Sequence, residues 1–335
     1  MRFVVVGPGA VGGVIGGRLF RSGHQVVLVA RGAHLDAIRS NGLTVVSPDE
    51  TVTLPILAVG DPSEAGLEDG DVVIIATKGQ GTLAVLESLE AVAATDSRSP
   101  ADSKSTGAGI SIVCAQNGVN NEREALRRFP DVYGICVMLP TAHIEPGVVE
   151  AYSSPTPGIL DIGRYPSGSD QTAEAIAEAL TTSGFESLAR PDIMRWKYRK
   201  LIMNLFNAVE ALLGRRHGWP DELAGSIQHE AEQVLSAARI DVASAEEDRI
   251  RRGDTLKMSP ISGGPRGGGS SWQSLARGLG SIESDYLNGE IVLLGRLYGI
   301  PTPVNAMLQQ MANEAARSGA PPGSFTADDL LARVT

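Results

Sequence analysis

Arg2–Val6, RFVVV, followed by Gly7-Pro8-Gly9-Ala10-Val11-Gly12, is the stretch of sequence that decides how this chain folds. The apolar run predicts a buried strand and Ala10–Arg21 predicts a helix, so the glycines lie on a strand-to-helix turn. There, Gly7 permits a tight turn, Gly9 lets the backbone approach a pyrophosphate, and Gly12 lets the helix pack closely on the sheet. The stretch predicts a dinucleotide-binding loop, with the pyrophosphate at the helix N-terminus. A glycine-rich turn without a cofactor is the alternative.

The residue after the second strand bears on which dinucleotide would bind. That strand is predicted over Gln25–Ala30 and ends at Arg31. An NAD site typically carries an acidic residue about 20 residues past the glycines, where it binds the ribose 2′-hydroxyl. An arginine offers instead a charge and a fork of donors that suit a 2′-phosphate. Arg31 therefore favours NADP over NAD; a solvated surface arginine is the alternative.

The first half of the chain alternates strands with helices. Continuous apolar strands in such an order are typical of a parallel sheet covered on both faces. The further strands are predicted at Leu43–Ser47, Val52–Val59, Val72–Ala76, Ile110–Ala115, Val132–Leu139 and Gly158–Gly163, and the further helices at Thr82–Ala93, Asn121–Arg128 and Thr172–Leu180. The polar stretch Asp96–Gly109 is predicted to be a mobile surface insertion.

Two polar residues follow predicted strands of this sheet. Lys78 comes after Val72–Ala76, and Asn117 comes after Ile110–Ala115 in the sequence Gln116-Asn117-Gly118. Ligands of such sheets lie outside the carboxyl ends of the strands, so both residues are expected at the ligand edge. Turn formation by Asn-Gly explains Asn117 equally well.

The second half of the chain is predicted to be helical. Its helices are expected at Ile193–Leu213, Asp221–Ala238, Ser244–Arg252, Ser281–Tyr298 and Val304–Arg317, whereas Ser259–Gly269 contains too much glycine for regular structure. The change of pattern places a boundary near Arg190–Pro191. We therefore expect a Rossmann-type α/β domain over residues 1–190 and an all-helical domain over residues 191–335.

A narrow polar stripe crosses the apolar helix predicted at Ile193–Leu213. Lys197, Lys200, Asn204 and Asn207 recur at i, i+3, i+7 and i+10, so they share one helix face. A lysine one turn from an amide suits an anion or a polarised carbonyl, whereas the alternative is an ordinary solvent-exposed face. Glu283 lies in the apolar sector of Ser281–Tyr298, where a carboxylate needs a partner or a function; an acid that favours the helix dipole is the alternative.

Composition and charge exclude several classes of protein. Hydrophobic residues make up 42% of the 335, and 29 Lys+Arg against 39 Asp+Glu give a net charge of −10. This balance argues against nucleic-acid and anionic-membrane partners. Cys114 and Cys136 lie in apolar runs, as buried free thiols do, and no Cys/His group has metal-site spacing. The N-terminal stretch has no signal-peptide layout and no run is long enough for a membrane span, so a cytoplasmic protein is expected.

These residues together resemble the ketopantoate reductase (2-dehydropantoate 2-reductase) family over nearly the whole chain. The resemblance rests on the glycine loop with Arg31, Lys78 and Asn117-Gly118, and on the helix Lys200-Leu-Ile-Met-Asn204. It extends to Ser271 followed twelve residues later by Glu283, then Asp285-Tyr286-Leu287-Asn288-Gly289, Gly299-Ile300-Pro301 and Asn305. It implies a Rossmann domain with a helical substrate and dimerisation domain, and a cytoplasmic enzyme of pantothenate and coenzyme A biosynthesis. NADPH, a 2-keto acid and a second copy of the chain are the expected partners.

The resemblance also implies roles for individual residues. Lys200 would be the proton donor to the keto oxygen, and Glu283 would hold the cofactor ribose or orient that lysine. Asn204 and Ser271 would bind substrate, while Lys78 and Asn117 would line the nicotinamide end of the cofactor. The residues expected to bind the dinucleotide are thus Gly7, Pro8, Gly9, Ala10, Val11, Gly12, Arg31, Lys78, Asn117 and Glu283.

One position departs from the family pattern. The family commonly has an asparagine four residues after the Asn204 position, which holds the hydroxyl end of the substrate; this chain has Ala208 there, with Asn207 one residue earlier. One residue turns the side chain about 100° around a helix, so Asn207 is not an equivalent of that asparagine. Asn207 is nevertheless expected to be a substrate-binding residue together with Asn204 and Ser271. Reduction of ketopantoate is the first expectation. The alternatives are a paralogous reductase of another 2-keto acid and a non-catalytic, cofactor-binding regulatory protein.

Overall fold

The computed structural model describes residues 1–96, 109–214, 219–261 and 267–333. The predicted insertion Asp96–Gly109 lies outside these residues apart from its two ends. The centre of the glycine-rich stretch Ser259–Gly269 lies outside them as well. Within the described ranges, no helix is both long enough and apolar enough to cross a membrane.

The chain forms two compact units. The first comprises residues 1–116, 120–194 and 249–266, and the second comprises residues 117–119, 195–248 and 267–335. The segment from residue 249 joins the first unit because Arg251 donates to the carboxylate of Asp161 at 2.7 Å and Met258 forms a β-bridge with Ser153. The division into domains at 190/191 stays a prediction, since these units interleave along the chain.

The first unit is built on a seven-stranded sheet, counted over the described residues. Its order is β11-β8-β7-β6-β1-β2-β5, and every neighbouring pair is parallel except β8 and β11. These strands are β1 Arg2–Val6, β2 Gln25–Val29, β5 Leu57–Val59, β6 Val72–Ile75, β7 Ser111–Cys114, β8 Val132–Met138 and β11 Ile159–Arg164. The predicted mostly parallel sheet is confirmed.

The sheet separates two apolar cores. In β1 the side chains of Phe3 and Val5 enter one core, and those of Val4 and Val6 enter the other. This alternation is why the strands read as continuous apolar runs. Helices α1 (Ala10–Arg21) and α5 (Gln171–Thr182) contribute to the first core, and α3 (Thr82–Asp96) and α4 (Asn121–Leu126) contribute to the second. The helices of this unit are α1 Ala10–Arg21, α2 Gly32–Asn41, α3 Thr82–Asp96, α4 Asn121–Leu126 and α5 Gln171–Thr182.

The prediction of a single strand at Val52–Val59 is wrong, because the structure has two strands in this stretch. Residues Thr51–Leu54 form β4 of a second sheet, whereas Leu57–Val59 is β5 of the main sheet. Pro55 lies between them and has no N–H to donate to a ladder, so the strand ends there. The second sheet has the order β4-β3-β10-β9, with β3 Leu43–Val46, β9 Thr141–Ala142 and β10 Val148–Ala151. Neither β9, β10 nor α2 was predicted.

The second unit is helical, as predicted, but two predicted long helices are interrupted. Ile193–Leu213 divides at Leu205, and Ser281–Tyr298 divides at Leu287, whose φ of −114° and ψ of −91° are not helical. The helices of this half of the chain are α6 Ile193–Asn204, α7 Phe206–Leu213, α8 Asp221–Ala237, α9 Ala245–Arg252, α10 Ser270–Ala276, α11 Asn288–Tyr298, α12 Pro303–Ser318 and α13 Ala327–Leu331, with a 3₁₀ turn at Glu283–Tyr286. Leu205 keeps helical angles and its N–H donates to Leu201 O at 3.1 Å, so the polar stripe continues across the first interruption.

Candidate active site

The glycine loop connects β1 to α1 and takes the conformation that its sequence requires. Gly7 has φ +86°, a left-handed value that favours glycine. A Cβ on Gly7 would lie 2.7 Å from Thr77 Cγ2 and 2.9 Å from the Thr77 nitrogen. The Gly7 N–H donates to Val29 O at 3.0 Å and the Gly9 N–H donates to Gly7 O at 2.8 Å. The tight turn assigned to Gly7 is therefore present.

Close packing of α1 depends on Gly12. A Cβ there would lie 2.5 Å from Gly7 O and 2.8 Å from Ala76 Cβ, so a side chain would displace the helix from the sheet. Helix α1 begins at Ala10 with Gly9 as its N-cap, and among the described residues no side chain caps it and no acidic residue occupies its first turn. The N–H groups of Ala10 and Val11, together with the loop at Pro8, can therefore meet an anion. This backbone cradle fits a dinucleotide pyrophosphate.

Arg31 and Lys78 lie at the carboxyl edge of the sheet. Arg31 is exposed, lies two residues after β2 and is the N-cap of α2. Hydrogen bonds from Ser63 lower the pKa of Asp61, and the nearby charge of Arg31 lowers it further. Lys78 is half-buried after β6, at the N-cap of a short 3₁₀ turn. Since β6 and β2 both pair with β1, these two residues flank the glycine loop in strand order.

In the second unit, Asn204 and Asn117 contact each other directly. Asn204 Nδ2 donates to Asn117 Oδ1 at 2.9 Å, and Asn204 is 5% exposed. The adjacent Gly118 has φ +81°, and a Cβ there would lie 2.9 Å from Tyr286 O. The Asn117-Gly118 turn is therefore packed against the 3₁₀ turn that Glu283 begins. Two sequence-predicted residues that are 87 positions apart are brought together here.

The next turn of the stripe holds the start of α10. Asn207 Nδ2 donates to Ser270 Oγ at 3.4 Å, and Glu210 Oε2 accepts from the Gly269 N–H at 2.7 Å. Ser271 follows in the first turn of α10 and is 2% exposed. Glu210 was not among the predicted site residues, although it follows Asn207 by three residues and so continues the face of the polar stripe. Ala208 is 2% exposed and offers no polar atom beyond its backbone.

Burial separates the remaining members of the stripe. Lys197 is 2% exposed and Lys200 is half-buried, which argues against an ordinary solvent-exposed face. Glu283 is 4% exposed at the start of its 3₁₀ turn. Buried charges in a protein need paired or hydrogen-bonded surroundings, so these residues mark a polar interior rather than a wetted surface.

A buried hydrogen-bond network supports the interruption at Leu205. Asn288 Nδ2 donates to Leu205 O at 3.1 Å and to Asn305 Oδ1 at 3.0 Å. Asn305 Nδ2 donates to Glu230 Oε2 at 2.8 Å, and Glu230 also accepts the N–H groups of Val304 and Asn305 at the start of α12. Asn288 and Asn305 are both 0% exposed. The network fixes the end of the helix that carries Lys200 and Asn204.

Two histidines near the glycine loop escaped the sequence analysis. His34 Nε2 lies 2.8 Å from Pro8 O, and the ring centroid of His143 lies 4.2 Å from that of His34. They are 109 residues apart, so no local sequence pattern could have predicted that they lie close together. The one signal in the sequence was that His34 follows Arg31, a predicted cofactor-binding residue, by three positions. Within the described ranges, no group of three or more His, Cys, Asp or Glu residues is placed to hold a metal.

Comparison with known proteins identifies the family. The model described as "Ketopantoate reductase PanE/ApbA" matches residues 3–167, and its C-terminal counterpart matches residues 192–316. The chain belongs to the ketopantoate reductase family. It is therefore an oxidoreductase, and the resemblance and enzyme class expected from the sequence are confirmed.

Individual relatives agree with this family. A 2-dehydropantoate 2-reductase of Pyrococcus horikoshii is 26% identical over 309 residues, which cover 92% of this chain and 95% of the relative. The crystal structure of a PanE/ApbA family ketopantoate reductase from Ralstonia eutropha is 27% identical with a TM-score of 0.75, covering 95% of this chain and 99% of that one. D-mandelate dehydrogenase, solved with NADH and anilino(oxo)acetate, has a TM-score of 0.78 over the same shares at 21% identity. This last likeness shows the fold alone.

Proposed function

We propose that this chain reduces 2-dehydropantoate to pantoate with NADPH. The observation that carries the proposal is the Asn204–Asn117 hydrogen bond, one turn along α6 from Lys200. It brings a lysine and two amides to one polar interior in a chain of this family. The names of the Pyrococcus and Ralstonia relatives support this choice of substrate class.

The cofactor half of the proposal rests on the glycine loop and Arg31. The uncapped N-terminus of α1 supplies N–H groups for the pyrophosphate, and the exposed Arg31 supplies a charge for the 2′-phosphate. NADPH would supply the hydride when bound. We assign Lys78 and Asn117 to the nicotinamide end and Glu283 to the ribose or to the orientation of Lys200.

Lys200 would donate the proton that completes reduction. As hydride reaches the keto carbon, the keto oxygen gains negative charge, and the Lys200 ammonium would stabilise it and transfer a proton to it. The chain uses arginine for most of its 29 basic residues and has five lysines, at positions 78, 104, 197, 200 and 257. An arginine stays protonated in proteins and cannot perform this transfer, whereas a lysine can. A lysine at position 200 is therefore chemically meaningful in this composition.

The remaining side chains of the second unit would hold the substrate. Asn204 would orient the keto group, and Ser271 at the start of α10 would bind the carboxylate. Asn207 is bonded to the neighbouring Ser270, so it would act near that same end of the substrate.

The buried Ala208 favours a second candidate substrate. An apolar methyl where the family commonly has an amide leaves the hydroxyl of ketopantoate with one polar partner fewer. A site that does not bond a hydroxyl discriminates weakly between substrates that differ in that group. Another branched 2-keto acid is therefore the alternative substrate.

NADPH oxidation measured across a panel of 2-keto acids tests both candidates. The panel contains ketopantoate, its deoxy analogue 3,3-dimethyl-2-oxobutanoate, and straight-chain and aromatic 2-keto acids. We expect the highest kcat/KM with ketopantoate. A higher value with another member would replace the substrate, and no turnover of any member would reject reductase activity altogether.

A further inference from the structure

His34 joins the glycine loop to a turn of the second sheet. Its Nε2 lies 2.8 Å from Pro8 O, and its Nδ1 lies 2.8 Å from the Gly147 nitrogen. Gly147 has φ +81° and immediately precedes β10. Its carbonyl accepts a hydrogen bond from the Thr44 N–H at 2.8 Å. One side chain thus ties the second residue of the glycine loop to a segment 139 positions later.

These two hydrogen bonds determine the tautomer of His34. A backbone N–H only donates, so Nδ1 must accept from Gly147 and carries no proton. A carbonyl only accepts, so Nε2 must carry the proton that is donated to Pro8 O. Neutral His34 with its proton on Nε2 satisfies both, and a proton added at Nδ1 would displace the Gly147 bond.

His143 lies beside His34 and faces the loop at Gly9. Its ring centroid is 4.2 Å from that of His34 at an interplanar angle of 45°, and it is 7% exposed. His143 Nδ1 lies 3.4 Å from the point where a Cβ on Gly9 would be. Since Gly9 lacks a side chain so that a pyrophosphate can approach, His143 borders the same space.

We propose that His34 and His143, the histidine clamp, set the affinity of the glycine loop for the diphosphate of its dinucleotide. His34 is a positioning residue that holds the Pro8 carbonyl, and His143 lines the cradle at Gly9. The inference rests on the cofactor site of the proposed function. It concerns the part of the cofactor that NADH and NADPH share, whereas Arg31 concerns the 2′-phosphate alone.

Dissociation constants for NADPH and NADH, measured by titration calorimetry without substrate, test the clamp. His34→Ala removes both hydrogen bonds. It is expected to raise the dissociation constants of NADPH and NADH by the same factor, about tenfold or more. His143→Phe keeps a ring against His34 but removes its nitrogens, and it is expected to weaken both equally. His24→Ala is the matched control, because His24 precedes β2 at the opposite end of the strand, and it should bind both as the wild type does.

Two conservative variants separate positioning from a general loss of structure. A glutamine at position 34 can place an amide N–H near Pro8 O, and an asparagine can place a carbonyl near the Gly147 N–H. We expect His34→Gln and His34→Asn each to recover part of the affinity that His34→Ala loses. Recovery by either variant supports the clamp even where His34→Ala lowers the thermal midpoint.

Several results would overturn the clamp. Unchanged dissociation constants for both dinucleotides in His34→Ala would do so. A loss of affinity in His34→Ala for NADPH alone would do so as well. The same holds if His34→Gln and His34→Asn both bind the dinucleotides as weakly as His34→Ala. Wild-type affinity in His143→Phe would remove His143 from it. A wild-type chain that bound neither dinucleotide would reject the cofactor site of the proposed function together with the clamp.

Discussion

The glycine loop and the polar interior of the second unit are built on different principles. The loop is a single stretch from Gly7 to Gly12, and its groups for an anion are backbone N–H groups. The polar interior takes its side chains from the Asn117 turn, from α6 and α7, and from the start of α10. A contiguous backbone site depends on local conformation, whereas a dispersed side-chain site depends on how distant segments are held.

The two regions also differ in what keeps them in place. The loop is fixed by the absence of side chains, since a Cβ on Gly7 or Gly12 would meet neighbouring atoms within 3 Å. The interior is fixed by side chains that are present, above all the network from Glu230 through Asn305 and Asn288 to Leu205. We therefore expect substitutions in the loop to alter cofactor binding and substitutions in the interior to alter chemistry or stability.

The strongest test of this difference is Lys200→Ala. A general acid typically contributes about 10²–10⁴-fold, so kcat should fall by that factor while the dissociation constant of NADPH stays the same. Lys200→Arg keeps the charge but not the ability to lose a proton, so it should recover little activity. Stopped-flow NADPH oxidation and calorimetric titration measure the two quantities. Wild-type kcat in Lys200→Arg would rule out proton donation by this residue.

Glu230→Ala tests whether the interior depends on its buried network. The change leaves the N–H groups of Val304 and Asn305 and the Asn305 amide without the carboxylate that accepts from them. The free energy of unfolding should therefore fall by about 3 kcal/mol. Urea and thermal unfolding measure the effect. Glu232→Ala on the exposed side of the same helix is the control and should change stability by about 0.5 kcal/mol or less. Equal effects in the two variants would show that the network does not stabilise this unit.

Arg31→Ala tests the cofactor preference of the first region. Losing a charge-assisted contact to the 2′-phosphate should make the binding free energy of NADPH less favourable by about 1.5–3 kcal/mol, while NADH binding stays unchanged. Arg39→Ala is the control, since Arg39 is exposed on the same helix and pairs with Glu64. Calorimetric titration of both dinucleotides gives the answer. Equal wild-type affinities for NADPH and NADH would contradict the assignment of Arg31.

The smallest effect is expected for Asn207→Ala. Its bond to Ser270 is long at 3.4 Å, so kcat/KM should fall about fivefold or less and by a similar factor for ketopantoate and its deoxy analogue. The ratio of kcat/KM for the two substrates is the measurement. A large ratio in the wild type that collapses in the variant would show that Asn207 binds the substrate hydroxyl in place of the family's second asparagine.

The family resemblance and most of the sheet were predictable because their signals are local. Apolar strands that are buried on both faces read as continuous runs, and the glycine loop needs particular residues at fixed spacing. The helix Ala10–Arg21 was predicted with the bounds that the structure shows. The prediction of one strand at Val52–Val59 was wrong because its two halves belong to different sheets. Which sheet each half joins depends on pairing partners far away in the chain.

The sequence by itself determined the mostly parallel sheet, its glycine loop and the polar stripe over Lys197–Asn207, because periodicity and glycine placement act over a few residues. Only the tertiary structure decided that Asn204 meets Asn117, that Glu210 holds the start of α10, and that His34 bridges Pro8 and Gly147. Each of these contacts joins segments at least 26 residues apart. Their existence depends on how apolar surfaces pack, and no local pattern encodes that.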